Sequence, residues 1–268
     1  MKKWMAWPYA FWMAFFVVVP LIIVLFFAVT NEAGQFSLEN LARLGELVDI
    51  FTRSLLLALI ATVICLLIGY PLAYILSRET QAVQTIAMLL LMLPMWMNFL
   101  LRTYAWMSLL EDTGLINQLL TLLGLPTLHM INTQGAVVLG MVYNYFPFMV
   151  LPVFTIIQKI DLSLIEAAQD LGGSSATVFR KIIFPLSLPG VLSGITMVFV
   201  PSVSTFIISK LLGGAKDMLL GDLIEMQFLG ATYNLHLGSL ISIVMMAIVL
   251  VCISVMNRFG SKEEAILL

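Results

Sequence analysis

The chain has 268 residues, of which 61% are hydrophobic and only 10% are charged. Soluble globular domains carry roughly 25% charged residues, so this composition excludes a water-soluble domain and indicates an integral membrane protein. The formal net charge of −2 is too small to indicate nucleic acid as a partner.

Charge-free apolar runs divide the chain into segments that are long enough to cross a bilayer. A spanning helix needs about 20 apolar residues, and the runs lack the alternating pattern of a barrel strand. The first run, from Trp4 to Val29, follows two lysines as a signal peptide would, but it exceeds the roughly 7–15 apolar residues of a signal. The sequence therefore predicts one all-α transmembrane domain over 1–268, with about six spans at approximately 7–29, 54–77, 81–109, 135–157, 186–209 and 237–257.

The loops between these runs predict the orientation of the chain. If the N-terminus lies inside, the inner loops and termini hold eight of the 13 lysines and arginines, and the outer loops hold five. An excess of basic residues marks the cytoplasmic side. Both termini are therefore expected in the cytoplasm.

Cysteine and histidine give no sign of catalytic or metal chemistry. Cys65 and Cys252 both lie within apolar runs, where we expect them to act as packing residues. His129 and His236 lie outside the main runs and have no further ligands at metal-binding spacing. No metal site is expected.

The loop 159–185, between the fourth and fifth spans, is long enough to hold secondary structure. Ser163 followed three residues later by Glu166 is a capping box, which predicts that a short helix begins there. The apolar residues at helical spacing on one face are Leu164, Ala168 and Leu171.

The same loop contains signals for the end of this helix. Gly172 and Gly173 predict its C-terminus, because glycine adopts the left-handed conformation without steric cost. Ser174 or Ser175 then caps a second short helix, which Pro185 is expected to end. The residues alone leave two alternatives open: a helix lying on the bilayer surface, or a docking surface for a soluble partner.

The spacing of the motif residues in this loop resembles a known family. Glu166-Ala167-Ala168 is followed by Gly172, Ile182 and Pro185, which is similar to the EAA loop of ATP-binding-cassette importer permeases. Phe184 replaces the leucine of the family pattern. The resemblance implies a type I importer permease (MetI-like) bundle. It also implies that the segment from Glu166 to Gly172 is a coupling helix held in a cleft of a partner ATPase.

A second stretch resembles the spermidine/putrescine branch of these permeases. It runs Pro94-Met-Trp96-Met-Asn98, followed by Arg102 and Tyr104. The resemblance implies polyamine transport in a bacterial cytoplasmic membrane. It also implies a second permease subunit (expected to be a different chain), two ATPase subunits and an extracytoplasmic substrate-binding protein. This sequence has no phosphate-binding loop, so no cofactor is expected on it, and ATP and Mg²⁺ would bind the partner ATPase.

Transport of a polyamine would require groups that replace water around its ammonium groups. Carboxylates, carbonyls and aromatic faces meet this need. The candidate pathway residues near the outer half of the spans are Trp96, Asn98, Tyr104, Trp106, Tyr143, Asn144, Tyr145 and Phe206. The alternative role for each aromatic is core packing or a place in the lipid-interface belt. Arg102 is instead expected to anchor a helix end or to pair with Glu111 or Asp112.

The outer segment 210–230 contains several glycines and apolar residues, which predict that it folds back toward the bundle. Lys210 and Glu225 would then meet near the mouth of the pathway as a possible outer gate. The alternative is two independent solvated charges.

Two other classes of protein are disfavoured. An ion-coupled secondary transporter would need acidic residues within the spans, which contain no Asp or Glu. A membrane enzyme would need a catalytic cluster, and the sequence contains no such set. A permease for another small solute or ion remains an alternative to a polyamine permease.

Overall fold

The computed structural model describes residues 7–31, 33–37, 39–214, 218–230 and 232–264. In these residues the only β pairing is an isolated bridge between Thr30 and Phe36. The helices are α1 (Trp7–Val29), α2 (Glu39–Leu44), α3 (Val48–Ser77), α4 (Gln81–Met92), α5 (Phe99–Leu110), α6 (Leu115–Leu122), α7 (Gln134–Gln158), α8 (Leu162–Asp170), α9 (Ser175–Ser204), α10 (Leu220–Leu229) and α11 (Leu235–Glu264).

The long helices have the length and hydropathy of membrane spans. Five segments of the described chain meet this criterion, namely α1, α3 with the turns before it, α7, α9 and most of α11. A bent pair, from Gln81 to Leu122, brings the number to six if it is one span. The all-α membrane class predicted from the sequence is confirmed. α3 begins at Val48, one and a half turns before the predicted start at 54.

The third predicted span is not a continuous helix. The segments Gln81–Trp96 and Phe99–Leu122 lie at 90° to each other. Pro94, which has no backbone N–H, lies in a 3₁₀ turn at the end of the first segment. The Asn98 side chain then accepts a hydrogen bond from the Leu100 amide at 2.8 Å and begins α5 anew. The span predicted over 81–109 therefore contains a sharp bend, because a proline and a strong cap act together.

The fifth predicted span differs from the structure at both ends. α9 ends at Ser204 instead of 209, since Thr205 is extended. At its start, Pro185 does not end a helix as predicted. The π-helical turn Phe179–Ile183 lies just before this proline. The wider turn moves the preceding carbonyls away from the proline ring, so that the helix continues through it.

Helices α3, α7 and α9 pack together at the centre of the fold. Their shared core includes Cys65, Met149, Val153 and Val198, all fully buried. α9 approaches α7 closely at Gly190, where a Cβ atom would lie 2.8 Å from the Pro152 carbonyl oxygen. Small residues at such crossings let two helix backbones come within contact distance. α1 packs mainly on α11, and its other faces are exposed.

The segment after α9 folds back on the bundle, as the sequence predicts. Ile208 and Leu212 are fully buried against Met141 of α7. Beyond residues 215–217, which lie outside the described residues, α10 packs on α9 and α11 through Leu220 and Leu223. A Cβ atom on Gly221 would collide with the Thr205 carbonyl oxygen. The start of α10 therefore lies directly against the end of α9.

The cysteines and histidines occupy packing and hydrogen-bonding positions. Cys65 is buried and Cys252 half-buried, and both are free thiols. His236 Nδ1 lies 3.0 Å from the Phe27 carbonyl oxygen and so links α11 to α1. His129 Nδ1 lies 2.8 Å from Asp112 Oδ1. Among the described residues, no three histidine, cysteine or acidic side chains are grouped as a metal site.

Candidate coupling elbow and translocation pathway

The loop predicted to couple to an ATPase forms a helix, a tight turn and a second helix, which we call the elbow (residues 161–185). Its first helix, α8, begins at Asp161, whose side chain accepts from the Ser163 amide at 2.9 Å. This hydrogen bond holds the pKa of the Asp161 carboxyl below its usual value. The predicted capping box of Ser163 and Glu166 is therefore wrong. The stronger acceptor two residues earlier begins the helix.

The end of α8 follows the prediction closely. Gly172 has φ +81°, the left-handed conformation. Its amide donates to the Gln169 carbonyl at 2.8 Å, and the Gly173 amide donates to the Ala168 carbonyl at 2.9 Å. These two bonds are a Schellman motif. The Ser174 side chain then accepts from the Thr177 amide and caps the start of α9.

The elbow has a packed face and an open face. Ile165, Val178 and Ile183 are buried together and hold α8 against the base of α9, with Ala168 partly buried beside them. The predicted apolar face is thus divided, because Leu164 and Leu171 are 50% and 89% exposed. Ile165, which lies next to Leu164 in the chain, faces α9 and makes the packing contact instead. Exposed large apolar side chains at such a surface are typical of an interaction site.

The remaining motif residues lie on both faces of the elbow. Glu166 and Ala167 are exposed on α8, next to the exposed leucines. Ile182 and Pro185, on α9, are half-buried at the base. The motif therefore contributes both to a free surface and to the contact that connects this surface to a membrane helix.

A cleft of about 440 Å³ lies between α3, α5 and α7. Its walls include Trp106 and Tyr143, whose rings meet edge to face with centroids 5.3 Å apart. Arg102 also lines this cleft, and only 8% of its surface is exposed. Its Nε atom has no hydrogen-bond partner among the described residues. Its guanidinium lies over the Phe99 ring at 5.9 Å. Among the described residues, Arg102 forms the expected ion pair with neither Glu111 nor Asp112, and Asp112 lies against His129 instead.

The other candidate pathway residues do not converge on this cleft. Trp96 is 80% exposed and Tyr104 is 46% exposed, as expected of groups at a lipid or partner surface. Asn98 serves as the cap of α5. Asn144 is buried and donates to the Gly140 carbonyl at 2.9 Å within its own helix. Of the predicted aromatic and polar set, Tyr143 and Trp106 line the cleft.

Two more candidate residues lie near the end of α9. The Tyr145 hydroxyl is 3.4 Å from the Pro201 carbonyl oxygen, which it contacts as a weak donor. Phe206 is 40% exposed at the break that follows α9. Both therefore mark the region where α9 ends and the chain folds back.

The predicted outer pair does meet. Lys210 Nζ lies 3.0 and 3.2 Å from the two carboxylate oxygens of Glu225. The lysine side chain is 59% exposed and that of the glutamate 22% exposed. The residue that sequence reasoning missed is Asp222, which lies one turn before Glu225 and is only 6% exposed. The sequence contains a signal for Asp222: it lies three residues before Glu225, so the two carboxylates share one side of a helix.

Comparison with known proteins defines the class of this chain. Residues 1–260 match the family of inner membrane components of binding-protein-dependent transport systems. The chain belongs to this family and is a multi-pass transport subunit, not an enzyme.

Among its relatives is the spermidine/putrescine transport system permease protein PotB of Escherichia coli K12. The two are 38% identical over 228 residues, which cover 81% of this chain and 83% of PotB. PotB of Haemophilus influenzae is 36% identical over 242 residues, which cover 87% of this chain and 84% of that protein.

A solved structure shares the fold at much lower identity. It is a bacterial alginate transporter of the ATP-binding-cassette class, in complex with a periplasmic protein bound to an alginate pentasaccharide. Its matching chain has a TM-score of 0.78 and 16% identity, with 96% of this chain and 93% of that chain covered. This likeness confirms the importer-permease fold.

Proposed function

We propose that this chain forms the translocation pathway of an ATP-driven importer for polyamines such as spermidine and putrescine. The observation that carries the substrate class is the 38% identity with a polyamine permease over 81% of the chain. An elongated cation with several ammonium groups needs carboxylates and aromatic faces along its route. The acidic residues beside α10 and the aromatic cleft near α5 meet this need.

The elbow is the coupling element of this proposal. Glu166, Ala167 and Ala168 would contact the ATPase together with the exposed leucines, while Gly172 fixes the turn. Ile182 and Pro185 would transmit the movement, since they join the elbow to α9. ATP and Mg²⁺ bind the ATPase, and this chain needs no cofactor. ATP binding and release then shift the membrane helices between two arrangements.

The partners follow from this mechanism. They are a second permease subunit of different sequence, two ATPase subunits and an extracytoplasmic substrate-binding protein. The complex lies in the bacterial cytoplasmic membrane, surrounded by lipid, with both termini of this chain in the cytoplasm. The excess of basic residues in the inner loops supports this orientation.

The pathway is assigned to the outer half of the bundle. The residues proposed to face the substrate during transport are Trp96, Asn98, Tyr104, Trp106, Tyr143, Asn144, Tyr145 and Phe206. Lys210 and Glu225 act as the outer gate, which is closed when they pair. Exposed ion pairs contribute only about 0–1 kcal/mol, so the pair can open at little cost.

Charge exchange tests the gate. Lys210→Glu and Glu225→Lys are each expected to reduce the maximal rate of transport, because neither variant can form the pair that closes the gate. The double exchange restores the pair and is expected to recover uptake. If the double variant transports no better than the single variants, the pair is not a gate.

The proposed substrate is tested with the whole complex in proteoliposomes. This chain, its second permease, the ATPase and the binding protein are reconstituted, and uptake of labelled spermidine and putrescine is measured with and without ATP. We expect ATP-dependent uptake that requires the binding protein. Uptake of an anionic or neutral solute, with no uptake of either polyamine, would refute the substrate class.

A further inference from the structure

A cavity of about 360 Å³ lies beside α10, where the chain folds back after α9. The residues that line it are Lys210, Gly214, Met218, Asp222, Glu225 and Met226. Asp222 and Glu225 are three residues apart on α10 and so project from the same side of this helix. Among the described residues, the cavity therefore combines two carboxylates, one ammonium group and two flexible thioether side chains.

Asp222 has an unused oxygen in this cavity. Its Oδ2 atom accepts from the Leu219 amide at 2.8 Å, which fixes the side chain at the start of α10. Its Oδ1 atom is buried and has no hydrogen-bond partner of regular geometry among the described residues. The Ser209 hydroxyl lies near this carboxyl and favours its charged form, but it donates instead to the Phe206 carbonyl at 3.0 Å. Nearly all buried polar atoms have a partner, and one that lacks it costs free energy. This Asp222 oxygen therefore lacks a donor, which a donor group of a ligand in the cavity would supply.

Lys210 shows which kind of donor fits. Its Nζ atom lies 3.0 and 3.2 Å from the Glu225 oxygens. A primary ammonium group is therefore already accommodated at the rim of this cavity. The lysine side chain is 59% exposed, so it can turn into solvent without leaving a packed position. When it does, no other lysine or arginine of the described part of the chain lines the cavity beside the two carboxylates.

We propose that Asp222 and Glu225 form a binding subsite for one primary ammonium group of the transported cation, with Lys210 as the cation that the substrate displaces. This inference rests on the proposed function and adds the site at which the substrate first enters the chain. The Asp222 Oδ1 atom accepts from the ammonium, and Glu225 exchanges its lysine for the substrate. Met218 and Met226 contact the adjoining methylene groups.

A divalent metal ion is a poorer occupant. Ca²⁺ takes six to eight oxygen ligands, and the described residues contain no group of three acidic or histidine side chains. An ammonium group needs only three acceptors, which Asp222 and Glu225 supply.

The test is Asp222→Asn in the complete transporter. Asparagine keeps an oxygen for the Leu219 amide, so α10 still begins at the same residue, but the negative charge is lost. We expect the KM for spermidine uptake to rise about tenfold or more, because hydrogen bonds to charged groups are the strong ones. The maximal rate changes much less. Glu46→Gln, at an exposed position outside the cavity, is the matched control and keeps the wild-type KM.

A second variant gives a change of the opposite sign. Lys210→Gln removes the competing ammonium and is expected to lower the KM by up to about fivefold. If the wild type imports spermidine and Asp222→Asn keeps its KM, the subsite is refuted while the proposed function stands. If Asp222→Asn does not assemble, an unchanged KM for Lys210→Gln refutes the subsite. If the wild type imports no organic amine, both proposals fail.

Discussion

Substitution of Gly172 is expected to disconnect the ATPase without unfolding the membrane helices. Gly172 has φ +81°, and no atom lies within 4 Å of the position that its Cβ would take. A side chain there meets no steric obstacle, so its cost is the backbone conformation alone. For a residue other than glycine this cost is about 1–2 kcal/mol, and for the β-branched valine it is higher. The elbow would then open about 5- to 30-fold more often.

The assay is copurification of the ATPase with each variant, followed by ATP-dependent uptake. Gly172→Val is expected to lose most of the ATPase, Gly172→Ala to lose part of it, and Gly172→Asn to keep it, because asparagine tolerates the left-handed region. Gly124→Val is the matched control. Gly124 has φ +72° and equally open surroundings, but it follows α6, far along the chain from the elbow. Normal assembly and uptake by Gly172→Val would refute the coupling role.

Three further predictions concern single acidic residues. Asp161→Ala is expected to destabilise the start of α8 and to weaken ATPase binding. Glu166→Ala is expected to leave the helix intact and to weaken only the docking of the ATPase. Hydrogen exchange of the α8 amides, which should become faster only in Asp161→Ala, distinguishes the two effects. Burial raises the pKa of the Asp222 carboxyl, and the charge of Glu225 adds to this; the Leu219 amide, the Ser209 hydroxyl and Lys210 oppose it. Its charge is therefore lost as the pH falls through this raised value. The KM for spermidine should rise on acidification in the wild type and stay flat in Asp222→Asn; equal pH profiles would contradict this.

The sequence was sufficient for the architecture because hydrophobic length is a direct measure of a membrane span. The bilayer requires continuous helices wherever backbone meets lipid, so the runs marked by charged residues became helices. The break in the third span was harder to predict. Pro94 alone is tolerated in many membrane helices, and the helix ends there because the Asn98 side chain caps a new one. The break therefore requires both Pro94 and Asn98, and each of these residue types commonly has another role in a membrane helix.

The elbow shows a similar division. The turn at Gly172 could be predicted because few residues other than glycine adopt its conformation. The start of the helix is harder to predict, because Asp161 and Ser163 are both good caps and lie two positions apart. The sequence pattern favours Ser163, and the structure uses Asp161. Which apolar residues of this nine-residue helix are buried is also hard to predict, because it depends on the position of the neighbouring helix. Here Ile165 is buried against α9, which leaves Leu164 and Leu171 free for a partner.

The cavity beside α10 depends on contacts that no local pattern encodes. The pairing of Lys210 with Glu225 could be predicted from the glycines that return the chain, since opposite charges near a fold-back tend to meet. Asp222 was overlooked because its burial arises from the contact of α10 with the end of α9, at Gly221 and Thr205. That contact places a carboxylate where water is largely excluded, with one oxygen held by the Leu219 amide and the other buried without a hydrogen-bond partner of regular geometry. A charge in this position destabilises the fold unless a cation accompanies it. In this structure that cation is Lys210, which pairs with Glu225 one turn away and favours the charged form of Asp222.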